Sequence, residues 1–219
     1  MMPAKARSKN VAGTAAPIPF DDPGYPESLR ELRRSAPPQI QAVGNDSLLG
    51  RPGLAFLCSI QCPGDVILMA YDVARVLRDA GISVIGGFHS PMEQECLDLL
   101  LRGTQPVIVA LARSVGGMRL PARWRSAIDA ERLLVLSFCA QSVKRPTAES
   151  ADFRNRCVAA IAEQVLVAHA SQGGKVDALT RELLAGGRRV LTFRCSANAH
   201  LVELGACPVD ATNLVSSLS

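Results

Sequence analysis

GLAFLCSIQCPGDVILMAYDVARVLRDAGISVIGG, residues 53–87, decides the fold. Leu54 to Cys58 is a short, wholly apolar run between Gly53 and the turn residues Ser59–Gly64. Asp65 to Ala80 then sets Val66, Met69, Ala70, Val73 and Leu77 at helical spacing, and Gly81 stops it. Ile82 to Ile85 is a second apolar run and ends on a glycine pair. Strands that are apolar throughout and separated by an amphipathic helix belong to a parallel sheet covered on both faces.

The alternation continues downstream. Met92–Arg102, Arg123–Ala130, Asn155–Gln164 and Lys175–Ala185 read as helices, and Ala199–Leu204 as a final helical turn or two. Pro106–Leu111, Arg132–Phe138, Val165–Ala168 and Val190–Arg194 read as strands. The pattern predicts a doubly wound, mainly parallel α/β sheet with helices on both faces. Upstream, residues 1–18 are expected to be a flexible basic tail, and 19–50 a lead-in to a single domain over 19–219. Within the lead-in, Pro26 opens a short helix, Pro37-Pro38 ends it, and Gln39–Val43 is a short strand closed by Gly44-Asn45.

Composition narrows the function. The hydrophobic share of 48% over 219 residues suits a globular chain with a real core. Aromatic residues make up 4%, too few for an extended base-stacking platform. No apolar run reaches membrane-spanning length, and no secretory signal is expected. The seven scattered cysteines read as reduced, buried thiols of a cytoplasmic protein, and no His–Cys spacing completes a metal site. Of the net charge of +4, Lys5, Arg7 and Lys9 in the tail supply three. The remainder is nearly neutral, so any nucleic-acid contact must come from a local patch.

In such a sheet, ligands bind beyond the carboxyl ends of the strands. Ser59–Gly64 is a strand-to-helix turn with one glycine, and Ser59 and Gln61 are its candidate donors. Gly86–Glu93 carries a capping box, Ser90 with Glu93, and Pro91 at the first helical position. There Gly87 allows close approach and His89 is a candidate ligand contact. Arg113 begins a basic segment with Arg119, Arg123 and Arg125, beside Trp124. Lys144-Arg145 leads to Phe153-Arg154-Asn155-Arg156, which reads as an anion site at the start of a helix. Gly173-Gly174-Lys175 ends a strand and opens another helix, with Lys175 aimed at a phosphate. Asn198 sits near the end of the last strand. No nucleophile elbow, H-E-x-x-H or P-loop is present, so neither catalysis nor a cofactor is expected.

The order of these segments resembles the DNA-processing protein A (DprA, or Smf) family over roughly residues 20–210. Tyr25-Pro26-Glu27-Ser28-Leu29 is similar to its lead-in, and Gly44-Asn45 to its G-N turn. Phe153-Arg154-Asn155-Arg156 is similar to its F-P-x-R-N-R signature, and Asn198 through Gly205-Ala206 to its closing segment. The resemblance implies an extended Rossmann-like fold, single-stranded DNA binding, a homodimer, and delivery of that DNA to the recombinase RecA during transformation. On that reading Arg154, Arg156 and Lys175 contact phosphates and Asn155 orients the loop or binds a base, while Arg113 is a candidate phosphate contact from its basic segment alone. The chain departs from the family at its first turn, where V-G-x-R is replaced by Leu57-Cys58-Ser59-Ile60. It also departs at S-G-S-x-x-T-A, replaced by Ser171–Asp177, and the family's usual flanking small domains are not expected. Related phosphoribohydrolases carry P-G-G-x-G-T-x-x-E; here Thr180 stands at the glutamate, which argues against their catalysis. A small-nucleotide sensor is the alternative, its pocket formed by Ser59, Gln61, Gly87, His89 and Asn198.

Overall fold

The computed structural model describes residues 16–50 and 53–218. Its nine-stranded sheet is built around the stretch quoted above. β3 (Leu54–Cys58), α2 (Gly64–Asp79) and β4 (Val84–Gly86) form its central right-hand unit. α3 (Pro91–Leu100), β5 (Val107–Leu111), α4 (Ala122–Asp129) and β6 (Leu133–Ser137) extend the sheet on one side. α5 (Ala148–Ile161) then crosses back to β7 (Gln164–His169), which pairs with β3 on its other side. α6 (Lys175–Ala185), β8 (Val190–Phe193), α7 (Ala199–Glu203), β9 (Cys207–Val209) and α8 (Leu214–Ser217) complete that half.

The lead-in supplies β1 (Ala16–Pro19), α1 (Glu27–Arg30) and β2 (Gln39–Gly44). The strand order is β1-β2-β6-β5-β4-β3-β7-β8-β9. β1 and β2 run antiparallel to their neighbours, and every other pair is parallel. The order reverses between β3 and β7, which is where a doubly wound sheet opens a crevice.

Alternation along each strand divides the core into two layers. Leu54 and Phe56 of β3, Val107 and Val109 of β5, and Leu166 of β7 face α2, α3, α4 and α8. Ala55, Leu57, Ile108, Val165 and Val167 face α1, α5, α6 and α7. α2 shows why the helices sit there: Val66, Ala70, Val73 and Leu77 form one stripe and are fully buried. Burying each large apolar side chain contributes about 1.5–3 kcal/mol.

Two expectations are corrected. Residues 16–18 are not tail but part of β1, with Ile18 buried against Ile40 of β2. A lone apolar residue between prolines carries little strand signal in sequence. Residues 1–15 lie outside the described residues. The second correction concerns α5, which starts at Ala148 rather than Asn155. Thr147 and Ser150 form a capping box: Ser150 N donates to Thr147 Oγ1 at 3.1 Å, and Thr147 N donates to Ser150 Oγ at 2.9 Å. Two backbone donors satisfied reciprocally fix the start there, and the arginine run falls in mid-helix.

The lead-in is pinned by Tyr25, which is buried and donates its hydroxyl to Pro37 O at 2.7 Å. Burial pushes its phenol up to about 12, so it remains a donor at neutral pH. At the outermost described strands, Pro17 and Pro19 lie on β1 and Pro208 on β9. No helix among the described residues is long and apolar enough to cross a membrane.

Candidate nucleic-acid interface

The turns beyond the carboxyl ends of β3 to β8 form one edge of the molecule, and the expected residues divide there into three groups. The first lies in the β3/β7 crevice. Ser59 N donates to His169 O at 2.9 Å, and Ser59 Oγ accepts from Ser171 N at 3.0 Å. Gly174 N donates to Ser171 O at 2.9 Å, and Gly173 N donates to Asp177 Oδ2 at 3.0 Å. Gly173 can make that turn because its φ is +75°, which disfavours a side chain. The backbone donors at 171, 173 and 174, which a phosphate would require, are thus bonded within the chain. Asp177 is the internal anion of this turn. Burial pushes its carboxyl up, but the Gly173 N–H and Arg181 outweigh that and hold it below the usual carboxylate value.

Asn198 belongs to the same region and has no exposed surface. Its amide nitrogen donates to Ala168 O at 2.8 Å, so its oxygen accepts from His169 Nδ1 at 2.8 Å. It ties the end of β7 to the turn after β8. Gln61 is exposed at the mouth of the crevice.

The second group is the arginine run. Arg154 is 5% exposed, and its Nη1 donates to Ala110 O at 2.9 Å. Its Nε donates to Asn155 Oδ1 at 2.7 Å, so the asparagine orients the arginine. A Cβ on Gly87 would lie 1.8 Å from Arg154 Nη1: the guanidinium occupies the space over that glycine. Burial pulls Arg154 below the ordinary arginine value, and the nearby Glu93 carboxylate opposes the shift. Arg156 points the other way, across α5 to α6. It pairs with both oxygens of Glu182 and, at 3.1 Å, with Asp152, and these carboxylates push its pKa up. It borders a groove of about 400 Å³ between α1, α5 and α6 that includes Leu32, Phe153 and Leu183.

The third group is a cationic rim. Ser114 N donates to Val143 O at 2.7 Å, joining the turn after β5 to the loop after β6. Ser150 Oγ donates to Ala112 O at 2.7 Å, and Lys175 Nζ to Ala148 O at 2.8 Å. These bonds gather Arg113, Lys144, Arg145 and Lys175 around the start of α5. Lys144, Arg145 and Lys175 are exposed, Arg113 is half-buried, and none of the four makes an ion pair among the described residues. The α5 amino terminus adds a partial positive charge to the rim. Glu149 is the acid in the first turn of α5. Of the remaining basic segment, Arg123 pairs with Asp98 at 2.9 Å and Arg125 donates to Leu120 O. Trp124 packs against the core rather than presenting a stacking face.

His89 stands between the crevice and the rim, exposed on the turn after β4. Its N–H and that of Ser90 donate to Glu93 Oε2 at 3.2 and 2.9 Å, the capping box read from sequence. Lys144 and Arg145 were not singled out in sequence as contacts, because only the fold brings their loop against Arg113 and Lys175.

Residues 16–216 match the family described as DNA recombination-mediator protein A. Among solved structures, DNA processing protein A from Streptococcus pneumoniae superposes with a TM-score of 0.76 at 21% identity, over 92% of this chain and 74% of that one. DNA processing protein A from Helicobacter pylori, described for its single-stranded DNA binding mode, gives 0.74 at 16% identity, over 95% and 98%. The molybdenum cofactor binding protein from Rippkaea orientalis gives 0.52 at 10% identity, over 76% and 94%, a likeness of fold alone. No curated protein matches the chain at the sequence level.

Proposed function

Because the chain belongs to the DNA recombination-mediator protein A family, we propose that it binds single-stranded DNA along the carboxyl edge of its sheet, without catalysis. The observation that carries this reading is the rim: four cations from three separate turns, held together by hydrogen bonds and without an ion pair to an acid among the described residues. Arg113, Lys144, Arg145 and Lys175 contact successive phosphates, and His89 lies beside their path. Such an open row suits a polyanion that runs past it. A mononucleotide needs converging donors in a pocket, and the crevice has spent those at Ser171, Gly173 and Gly174 on its own chain. The polymer reading is therefore preferred over the nucleotide sensor.

Arg154, Asn155 and Arg156 take part indirectly, by shaping and bracing the edge. In cells the protein loads DNA onto a RecA-type recombinase during DNA uptake and acts as a homodimer, in keeping with its family. The binding test is a fluorescence anisotropy titration of a labelled oligonucleotide over a salt series. A steep fall in affinity with salt is expected. Affinity independent of salt, or no binding in low salt, sinks the proposal.

A further inference from the structure

The turn after β4 is clamped from three sides. The Arg154 guanidinium lies over Gly87, where an added Cβ would meet Nη1 at 1.8 Å, Cζ at 2.1 Å and Nη2 at 2.5 Å. Phe88 takes φ +45°, a left-handed conformation that costs a non-glycine residue energy, and its ring stacks on Phe56 at 6.4 Å. The Glu93 carboxylate holds the N–H groups of His89 and Ser90. Arg154 is also bonded to Ala110 O, near the end of β5, so one side chain ties β4, β5 and α5 together. These restraints fix the backbone of His89, whose exposed imidazole stands on the edge.

We infer that Arg154 is a positioning residue: it braces the Gly87–Ser90 turn so that His89 meets single-stranded DNA, and its own charge neutralises no phosphate. This role rests on the DNA-binding function proposed above. A buried guanidinium whose Nη1 and Nε already bond Ala110 and Asn155 is poorly placed to reach a phosphate outside. The same geometry explains why glycine stands at 87: the backbone must lie flat beneath the guanidinium.

The salt dependence of binding separates the two roles of an arginine. Each phosphate contact to a single strand contributes about 0.7 to the slope of log affinity against log salt. Arg154→Gln removes the charge and the fork. It is expected to weaken oligonucleotide binding roughly fivefold with the slope unchanged. His89→Ala should weaken binding in the wild type and have no further effect in the Arg154→Gln background. A slope reduced by about 0.7, full affinity in Arg154→Gln, or additive losses with His89→Ala would each overturn the inference.

A stability cycle keeps the brace testable apart from DNA. Gly87→Ala should lower the melting temperature strongly in the wild type and scarcely at all in Arg154→Ala, since truncation vacates the space that the new methyl needs. Equal losses in both backgrounds overturn the brace itself. If the wild type binds no oligonucleotide while the cycle shows this coupling, the DNA function falls and the brace stands.

Discussion

The crevice between β3 and β7 and the rim around the start of α5 lie on the same edge and share the same resources: backbone N–H groups, small residues and cations. They use them oppositely. In the crevice, Ser59 and Asp177 take up the backbone donors of Ser171 and Gly173, and Asn198 locks the floor. On the rim, hydrogen bonds hold three turns together, one of them from Lys175 Nζ to Ala148 O, while Lys144 and Arg145 remain exposed. A site closed by its own groups gives rigidity, and a site with unpaired charge gives affinity for something outside. The fold's usual ligand position has become a structural joint, and the proposed recognition surface lies to its side.

The largest effect that tests this contrast comes from the rim. Arg113→Ala combined with Lys144→Ala and Arg145→Ala should lower the salt slope by about 2 and the affinity for an oligonucleotide on the order of 100-fold at 0.1 M salt. An unchanged slope would erase the distinction between the two regions. Next comes the crevice. Asp177→Asn keeps the shape but removes the charge that binds the Gly173 N–H and Arg181, at a cost of about 1–3 kcal/mol by denaturant melts.

The acid limb sharpens the same point. The folded Asp177 carboxyl sits below its unfolded value of about 3.9. Its contribution is therefore complete above that pH and is lost as pH falls through the folded value. The wild type should lose stability below about pH 4, and Asp177→Asn should show a shallower decline there. A mononucleotide at 1 mM should stabilise the protein by less than about 0.4 kcal/mol, the value for a dissociation constant equal to that concentration. Arg156→Ala breaks a partly exposed ion pair and is expected to cost no more than about 1 kcal/mol and to leave the salt slope unchanged.

Sequence reading served the two regions unequally. β3 and α6 match their expected limits, Leu54–Cys58 and Lys175–Ala185, because a glycine or proline marks the chain near each end and apolar spacing fills the interior. The Ser90–Glu93 box was equally visible. The start of α5 is hard to see because Arg154-Asn155-Arg156 looks like a surface anion site, while its true beginning rests on a modest Thr147–Ser150 box. Whether an arginine is buried depends on a glycine far away in sequence, here Gly87, and spacing does not carry that information. The rim was hidden for a similar reason, since its cations come from turns that only the sheet order brings side by side.

The proline-bearing border strands have a consequence for assembly. Phe20 N donates to Pro38 O, so the alternate positions Ala16 and Ile18 turn their N–H groups toward β2. Pro17 and Pro19 then occupy the outward positions of β1, and that flank offers no amide hydrogen to an incoming strand. Pro208 weakens the opposite flank in the same way. The sheet is insulated against growth by strand addition, which guards a nine-stranded platform from aggregation. Two copies that associate must meet through helices or loops, leaving the ladder of each protomer complete.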